Sequence, residues 1–409
     1  KFGNPGSLHS FGQEASAAVF EARDAIAKSL GCHYSEIVFT GSATEANNLA
    51  IRGVLRGIMN NESGIKNGEK SIIHNSKFII PKVIVSAIEH DSILGTCREL
   101  EKDGVEVVYL PVSKNGIVDL KKLESALDER TILVSIMYAN NEVGTIQPIF
   151  EISKIIKDFK NRKIKGQNLN FKEKSNQPTN QLTNYPLMHT DAVQAFNYLD
   201  CNVNNLGTDL MTLSSQKIYG PKGIGLLYVR RNPNYKNQIL KFELENLNLS
   251  ALAPIITGGG QERGFRAGTE NVPGIVGFAK AVELISSPSS ANTSAGRESE
   301  NKRLRKLQEY FLKQVKKINS KIELNGDAKN RLPNNINLHI PAKDSRGSAQ
   351  DLVIALDMAG FAVSPGSACS ARVCSPSHVL KALGYSDEKS MSGLRITFGR
   401  QTTKADVDG

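Results

Sequence analysis

Apolar residues near the start of the chain recur every three or four positions, which is the spacing of one helix face. The residues that define this face are Ala15, Val19, Ala22, Ile26 and Leu30. The pattern predicts an amphipathic helix over residues 12–30, with Gly31 as its stop. An apolar run at residues 37–40 then predicts a short strand, and helical spacing resumes from about Thr44 to Val54.

Strand-like and helical segments alternate over the first half of the chain. Short runs of aliphatic and β-branched residues predict further strands at 83–86, 105–110, 132–137, 187–190, 210–213 and 225–229. Helical segments are predicted between several of them, at 91–102, 119–128 and 150–160. This alternation predicts an α/β fold with a mainly parallel sheet flanked by helices.

Two polar stretches interrupt the alternation. Residues 60–77 and 161–186 are rich in Asn, Lys, Gln and Ser and show little periodicity. We interpret both as surface insertions, with disorder as one option. The net charge is +10, and part of the basic excess lies in or beside the second insertion. We interpret this charge as a solvated loop and expect no direct nucleic-acid binding.

A third polar run, at residues 286–299, follows an apolar helix at 272–285 and predicts a domain boundary. We therefore expect a large domain over residues 1–287 and a smaller α+β domain over 298–409. In the second domain the pattern predicts helices at 299–318 and 350–358 and strands at 322–324, 335–340 and 394–398.

Composition narrows the class of protein. With 40% hydrophobic and 22% charged residues, the chain is typical of a soluble globular protein, and no apolar run reaches the roughly 20 residues of a membrane helix. The five cysteines are odd in number and contain no CxxC pair, which argues against a disulfide framework and a structural metal site. We expect a cytoplasmic protein, with an organelle left open because the chain begins without Met.

One lysine has the setting of a covalent cofactor site. Lys217 follows a predicted strand and precedes a turn rich in Gly and Pro, where an open α/β sheet places ligands. A lysine there can form an imine with an aldehyde cofactor. Upstream, Asp191 ends a predicted strand and suits the ring nitrogen of pyridoxal 5′-phosphate (PLP), although it could equally cap the next helix. Small residues around Thr44, at a predicted helix start, could bind a phosphate. A capping box explains Thr44 equally well.

Together these segments resemble the cysteine desulfurases of the NifS/IscS-like group, within the class V aminotransferase superfamily of fold-type I PLP enzymes. The resemblance covers nearly the whole chain outside the two insertions. Its motifs lie at 2–5, 41–45, 89–90, 140–144, 191–194, 214–223, 258–269, 366–369 and 394–400.

The resemblance implies roles for residues around PLP. Lys217 would hold the cofactor as an imine, Asp191 would pair with the ring nitrogen, and Gln194 would contact the ring hydroxyl. His90 would stack on the ring and shuttle protons, a task that suits imidazole. Phosphate contacts are implied for Ala43, Thr44, Ser214 and Gln216.

The resemblance also implies how substrate and subunits are arranged. Asn141, beside the cofactor, and Arg395 would hold the carboxylate of L-cysteine, because a guanidinium fork matches a carboxylate. A structural salt bridge is the alternative reading of Arg395. Thr269 would reach the cofactor of a neighbouring subunit, which implies a homodimer.

Cys369 would carry the sulfur chemistry. It lies in a run of small residues that predicts a loop, and the nearby Arg372 would favour the reactive thiolate. The motif selects Cys369, so we interpret Cys374 as a non-catalytic thiol. No resident metal is expected, although Cys369 could transiently ligate an iron–sulfur cluster.

The implied reaction removes sulfur from L-cysteine, gives L-alanine and leaves a persulfide on Cys369. The sulfur would pass to an iron–sulfur scaffold protein or a tRNA-thiolation acceptor. A selenocysteine lyase, another class V aminotransferase or a non-catalytic sulfur-transfer scaffold remain alternatives. Compared with the family pattern, Gln216 stands where His is usual, and we expect the chain to be truncated at both ends.

Overall fold

The computed structural model describes residues 3–62, 80–170, 185–231, 252–286, 294–341, 349–366 and 375–409. A seven-stranded sheet, here called the large sheet, and a four-stranded sheet, here called the small sheet, organise them. The strands of the large sheet are β1 (Ile37–Thr40), β2 (Lys82–Ser86), β3 (Glu106–Leu110), β4 (Thr131–Ser135), β5 (Leu187–Asp191), β6 (Leu210–Ser214) and β7 (Gly225–Val229).

The large sheet has the strand order β1-β7-β6-β5-β4-β2-β3. Parallel pairing runs without interruption from β3 through β2, β4 and β5 to β6. β7 runs antiparallel to both of its neighbours, β6 and β1. The expected α/β fold with a mainly parallel sheet is therefore confirmed.

Helices cover both faces of the large sheet, so its central strands are buried on both sides. These helices are α1 (Ser10–Leu30), α2 (Ala43–Glu62), α3 (Asp91–Lys102), α4 (Leu120–Ala126), α5 (Ile149–Asn170), α6 (Val203–Leu206) and α7 (Val272–Ser286). Apolar residues of α1, α5 and α7 pack on one face and those of α2 and α3 on the other. On β7, Leu226 and Tyr228 join the first layer, whereas Leu227 and Val229 join the second, as the two-residue strand period requires.

Two helices extend into segments that the sequence assigned to insertions. α2 ends at Glu62 and α5 at Asn170, so residues 60–62 and 161–170 are helical rather than disordered. In the α5 extension, Arg162, Lys163, Lys165 and Gln167 are good helix formers. A polar composition does not by itself stop a helix, as the Asn-Asn-Glu end of α2 also shows. Residues 63–77 and 171–184 of the insertions lie outside the described residues.

The small sheet consists of β8 (Glu323–Leu324), β9 (Asn335–His339), β10 (Ser364–Pro365) and β11 (Gly393–Thr397), in the antiparallel order β10-β11-β9-β8. Its helices are α8 (Ser294–Ile318), α9 (Ala349–Met358), α10 (His378–Ala382), α11 (Asp387–Met391) and α12 (Lys404–Asp408). α8 begins five residues before the predicted start, inside the polar run interpreted as a boundary. Within the described ranges, no helix combines the length and apolar character needed to cross a membrane.

Candidate active site

Neighbouring strands of the large sheet end at, or lead directly to, the residues selected from the sequence. β5 ends at Asp191 and β6 at Ser214, while His90 follows β2 and Asn141 follows β4. Because these strands are parallel and adjacent, their carboxyl ends share one edge of the sheet. Polar side chains thus gather at the edge where open α/β sheets bind ligands.

Asp191 is a buried carboxylate with a fixed orientation. Its Oδ2 accepts a hydrogen bond of 2.8 Å from the side-chain amide of Asn47, and its Oδ1 accepts one of 3.0 Å from the backbone N–H of Val193. Asn47, on α2, also donates to the hydroxyl of Ser92 at 2.8 Å. α2 and α3 therefore hold the acid that ends β5.

His189, two residues before Asp191, is completely buried in the sheet. Its Nδ1 lies 2.7 Å from the Ser135 hydroxyl and its Nε2 3.0 Å from the Thr212 hydroxyl, so both ring nitrogens have partners on adjacent strands. Burial lowers the pKa of His189 to about 3. The ring is therefore neutral and adds no positive charge beside Asp191.

His90 is the N-cap of α3 and is half-buried. Its Nδ1 accepts the backbone N–H of Ser92 at 3.1 Å and lies 2.9 Å from that residue's hydroxyl. An Nδ1 that accepts leaves Nε2 as the nitrogen that carries the proton in the neutral ring. The local fold thus presets the tautomer of the predicted proton shuttle.

Glu89 is a second buried acid at this edge, to which the sequence gave no role. Its Oε1 accepts the hydroxyl of Ser86 and, at 2.9 Å, the backbone N–H of Met137. Its Oε2 has no hydrogen-bond partner among the described residues. Burial, reinforced by the charge of Asp191, raises the pKa of Glu89 to about 8, so this side chain is mainly protonated at neutral pH.

The amino terminus of α2 forms a cradle against β7. A Cβ placed on Gly225 would lie 2.6 Å from the carbonyl carbon of Ser42 and 2.8 Å from the amide nitrogen of Ala43, so only glycine permits this approach. The first-turn amides of a helix attract anions. Ala43 and the exposed Thr44 therefore lie where a phosphate group fits.

Glu45 would oppose an anion in this cradle if its charge were not compensated. Its Oε1 forms an ion pair of 2.8 Å with Arg266, and its Oε2 accepts the backbone N–H of Gly41 at 2.8 Å. The ion pair reduces the negative field near the helix end. It also joins the cradle to the glycine-rich segment at 258–271.

Lys217 lies in a single 3₁₀ turn, Ser215–Ile218, that directly follows β6. The side chains of Gln216 and Lys217 are exposed, whereas Ser214 is buried at the end of the strand. The turn closes against Gly220, whose backbone N–H donates to the carbonyl of Ser215 at 3.0 Å. The lysine is thus presented at the sheet edge described above.

Arg395 reaches the large sheet from β11 of the small sheet. Its Nη1 donates to the backbone carbonyl of Asn141 at 3.1 Å. On β11 it is paired with Asn337 of β9 and Ser364 of β10. The structure thus brings Asn141 and Arg395 together, and it places Arg395 beside the strand that leads towards residue 369.

Glu142, next to Asn141, is a further buried acid that the sequence did not select. Its Oε2 accepts the hydroxyl of Ser377 at 2.6 Å, while its Oε1 has no hydrogen-bond partner among the described residues. Burial raises the pKa of Glu142, and the charges of His378 and Arg395 partly oppose that rise. A buried carboxyl was not detectable because the motif alone does not reveal burial.

Thr269 and Gln194 lie at other points of the same region. Thr269 is exposed and lines a cavity of about 170 Å³ together with Thr40, Gly41 and Arg266. Gln194 is half-buried in the turn that follows Asp191. The structure therefore places Thr269 beside Thr40 and Gly41, which lead into the amino terminus of α2.

The cysteines divide into buried thiols and thiols in an undescribed segment. Cys97 and Cys201 are buried, and burial raises the pKa of each thiol to about 12. Burial raises the pKa of Cys32 as well. These three are poor sources of thiolate at neutral pH. Cys369 and Cys374 lie outside the described residues.

Comparison with known proteins gives similarity over the full chain. A family model described as aminotransferase class-V matches residues 2–164 and 177–409. Cysteine desulfurase IscS of Dictyoglomus turgidum is 39% identical over 408 residues, which covers 100% of this chain and 85% of that protein. Cysteine desulfurase IscS 1 of Archaeoglobus fulgidus is 39% identical over 407 residues, which covers 100% of this chain and 87% of that protein.

Solved structures give the same result. A NifS-like protein matches with a TM-score of 0.74 and 30% identity, covering 100% of this chain and 89% of that chain. SspA in complex with cysteine matches with a TM-score of 0.69 and 31% identity, covering 97% of this chain and 91% of that chain. Fold, motif order and full-length similarity agree, and the chain belongs to the class-V aminotransferase family, with the cysteine desulfurases of the NifS/IscS-like group as its relatives.

Proposed function

We propose that this chain is a PLP-dependent cysteine desulfurase that converts L-cysteine to L-alanine and holds the released sulfur as a persulfide on Cys369. The observation that carries the proposal is the gathering of Asp191, Lys217 and the α2 amino terminus around one edge of the large sheet. Full-length similarity to proteins named cysteine desulfurase supports the reaction. A similar structure solved with cysteine supports the substrate.

The described residues offer a partner for each binding group of PLP. The fixed carboxylate of Asp191 suits the ring nitrogen, Lys217 suits the aldehyde, and Gln194 suits the ring hydroxyl. The cradle that a Cβ on Gly225 would fill suits the phosphate, with contacts from Ala43, Thr44, Ser214 and Gln216. When bound, PLP supplies a ring that accepts electrons from the substrate α-carbon.

The chain's own residues then orient the substrate and move its protons. Arg395 and Asn141 hold the carboxylate of L-cysteine, and Lys217 takes the α-proton. His90 stacks on the ring and moves protons through Nε2, the nitrogen left free to donate by the Ser92 contacts.

The sulfur step is a displacement at the substrate sulfur. The Cys369 thiolate forms an S–S bond as the C–S bond of the substrate breaks, and the bonding electrons stay with the carbon, which is protonated to give alanine. The raised pKa values of Cys97 and Cys201 make these thiols unsuitable for this step. The product on the protein is the Cys369 persulfide.

The remaining parts of the proposal concern organisation and delivery. Residues 1–287 would act as the large cofactor-binding domain and 298–409 as the small domain. Two chains would form a homodimer in which Thr269 reaches the neighbouring cofactor. In the cytoplasm the persulfide sulfur would pass to an iron–sulfur scaffold protein or a tRNA-thiolation acceptor.

The test compares three proteins purified with PLP and given L-cysteine and a thiol reductant, which releases the persulfide sulfur as sulfide: wild type, Cys369→Ala and Lys217→Ala. Cys369→Ala should retain the absorbance band of the lysine-bound cofactor but lose sulfide release, by about a hundredfold or more. Lys217→Ala should lose both the band and the reaction. Alanine and sulfide are measured together by amino-acid analysis and a sulfide assay.

Cys374→Ala is the matched control for the loop thiols and should keep near-wild-type sulfide release. Sulfide release by Cys369→Ala at the wild-type rate would exclude Cys369 as the nucleophile. Alanine formation from selenocysteine but not from cysteine would indicate a selenocysteine lyase. An unchanged cofactor band in Lys217→Ala would point to a non-catalytic scaffold or another binding mode.

A further inference from the structure

Tyr219 adopts a left-handed backbone conformation two residues after Lys217. Its φ is 66°, and it ends the 3₁₀ turn Ser215–Ile218 that carries the lysine. This region of the backbone is sterically unfavourable for a bulky residue, which persists there only where surrounding contacts hold it. The contacts of the Tyr219 side chain therefore explain why tyrosine is held in this position.

The ring and hydroxyl of Tyr219 contact the turn that follows β11. The hydroxyl accepts the backbone N–H of Arg400 at 3.2 Å, and the Arg400 guanidinium carbon lies 4.8 Å from the ring centroid. A Cβ on Gly399 would lie 3.5 Å from the same hydroxyl. Tyr219 also hydrogen-bonds to Tyr198. Burial is the main cause that raises the pKa of Tyr198, and the contact with Tyr219 raises it further.

The turn that receives Tyr219 is fixed from its other side by α8. Arg303 donates to the carbonyl of Thr402 at 2.6 Å and to those of Gly399 and Arg400 at 3.2 Å. Arg303 is itself paired with Glu300 at 2.7 Å. The turn after β11 is thus hydrogen-bonded from two sides, by Arg303 of α8 and by Tyr219.

We propose that Tyr219 is a positioning residue that couples the Lys217 turn to the strand carrying Arg395. Arg395 lies on β11 and donates to the carbonyl of Asn141 at 3.1 Å. By joining the end of β11 to the lysine turn, Tyr219 sets where the Lys217 amine stands relative to a substrate held by Arg395. The inference rests on the proposed function, which assigns proton transfer to Lys217 and carboxylate binding to Arg395.

Tyr219→Phe tests the coupling with little change in shape, since it keeps the ring against Arg400 and removes the hydroxyl. We expect kcat for L-cysteine to fall about tenfold with KM within about twofold, because small misplacement of a reacting group mainly slows the chemical step. α-Deuterated L-cysteine should slow the variant more than the wild type. The apo-protein of the variant should also capture PLP more slowly.

Tyr310→Phe is the matched control. Like Tyr219, Tyr310 has a cation over its ring and a hydrogen-bonded hydroxyl, but it lies between α8 and α12: Lys404 Nζ is 4.4 Å from its ring centroid, and its hydroxyl donates to Asp408. Removing this hydroxyl should leave kcat, the deuterium effect and PLP capture at wild-type values. The comparison separates a role in the lysine turn from a general loss of stability.

Equality of Tyr219→Phe and Tyr310→Phe in kcat, deuterium effect and PLP capture would overturn the inference. A loss confined to KM would also overturn it, because carboxylate binding rather than lysine placement would then depend on Tyr219. If wild type shows neither a lysine-bound cofactor band nor alanine formation, the proposed function fails and this inference fails with it. If the wild type is active and Tyr219→Phe keeps wild-type values, only this inference is rejected and the proposed function stands.

Discussion

Two buried carboxyl groups near the sheet edge differ in how they are satisfied. Both oxygens of Asp191 accept hydrogen bonds, from Asn47 and from the backbone of Val193. Within the described part of the chain, Glu89 accepts hydrogen bonds at Oε1 and has no hydrogen-bond partner at Oε2, and burial raises its pKa to about 8. Because Glu89 is neutral, it adds no second negative charge at the predicted cofactor site. Asp191 is then the acid suited to a positively charged ring nitrogen.

Glu89→Gln should change how stability depends on pH. Between pH 4.5 and 8 the folded protein keeps the Glu89 proton while the unfolded chain loses it, so stability falls as pH rises through this window. The slope from this group approaches about 1.4 kcal/mol per pH unit. Glutamine resembles the protonated acid but does not titrate, so the variant should lose this slope in urea unfolding measured from pH 5 to 8.

Glu99→Gln provides the control for that experiment. Glu99 is exposed, and its hydrogen bond to Lys102 lowers its pKa, so its titration lies below the window. Its substitution should leave the slope between pH 5 and 8 unchanged. A Glu89→Gln protein with the wild-type slope would show that Glu89 is not the buried acid that titrates there.

The site residues predicted from the sequence are those whose motifs carry reactive or charged side chains. Lys217 and Asp191 follow strands and have an evident use, and the structure places both at the sheet edge. Glu142 and His189 were missed because their importance comes from burial, which depends on contacts made by distant parts of the chain. Tyr219 was missed because tyrosine gives no signal for a left-handed backbone.

The amino terminus of α2 depends on how close β7 passes behind it. Gly225→Ala would place a methyl group 2.6 Å from the Ser42 carbonyl carbon and 2.8 Å from the Ala43 nitrogen, and backbone atoms cannot yield as a flexible side chain can. The helix end must then shift away from its present position. We expect PLP affinity to fall about tenfold or more, measured by titrating the apo-protein with PLP.

Gly95→Ala is the corresponding control within a helix. Gly95 lies inside α3, and a Cβ there meets nothing within 4 Å. Alanine should therefore raise stability by about 0.5–1 kcal/mol without weakening PLP binding. Equal PLP affinity in Gly225→Ala and Gly95→Ala would contradict the proposed phosphate cradle.

At the scale of elements, periodicity predicted most strands and helices of the large sheet. It did not predict that β7 runs antiparallel, because a strand's direction depends on its neighbours rather than on its own residues. It also ended α2 and α5 too early. The two-residue strand β10 was missed because so short a segment has no measurable period.

The two sheets meet at the turn formed by residues 140–144. Asn140 shapes this turn, since its side-chain oxygen accepts the backbone N–H groups of Glu142 and Val143 at 2.8 and 2.9 Å. From the other side, Leu332 donates its backbone N–H to the carbonyl of Gly144 at 2.9 Å. The segment that contains Asn141, a proposed substrate-binding residue, is therefore held by both parts of the molecule.

Arg331 is the central support of this junction. It is completely buried, and its guanidinium donates to the carbonyls of Val143, Asn325, Asp327 and Asn335 at 3.0–3.3 Å. Burial lowers its pKa to about 10. The planar fork of arginine satisfies several carbonyls at once, which a lysine ammonium on a single stem cannot do.

Arg331→Lys should therefore leave buried carbonyls unpaired and lower the free energy of unfolding by about 3 kcal/mol. Because the turn at 140–144 also carries Asn141, KM for L-cysteine should rise several-fold. Arg162→Lys is the control, since Arg162 is largely exposed in an ion pair with Glu124 and its loss should cost under about 0.5 kcal/mol. Guanidinium-chloride unfolding and steady-state kinetics measure both effects. If the two variants lose equal stability and keep the wild-type KM, Arg331 does not join the sheets in the way its contacts indicate.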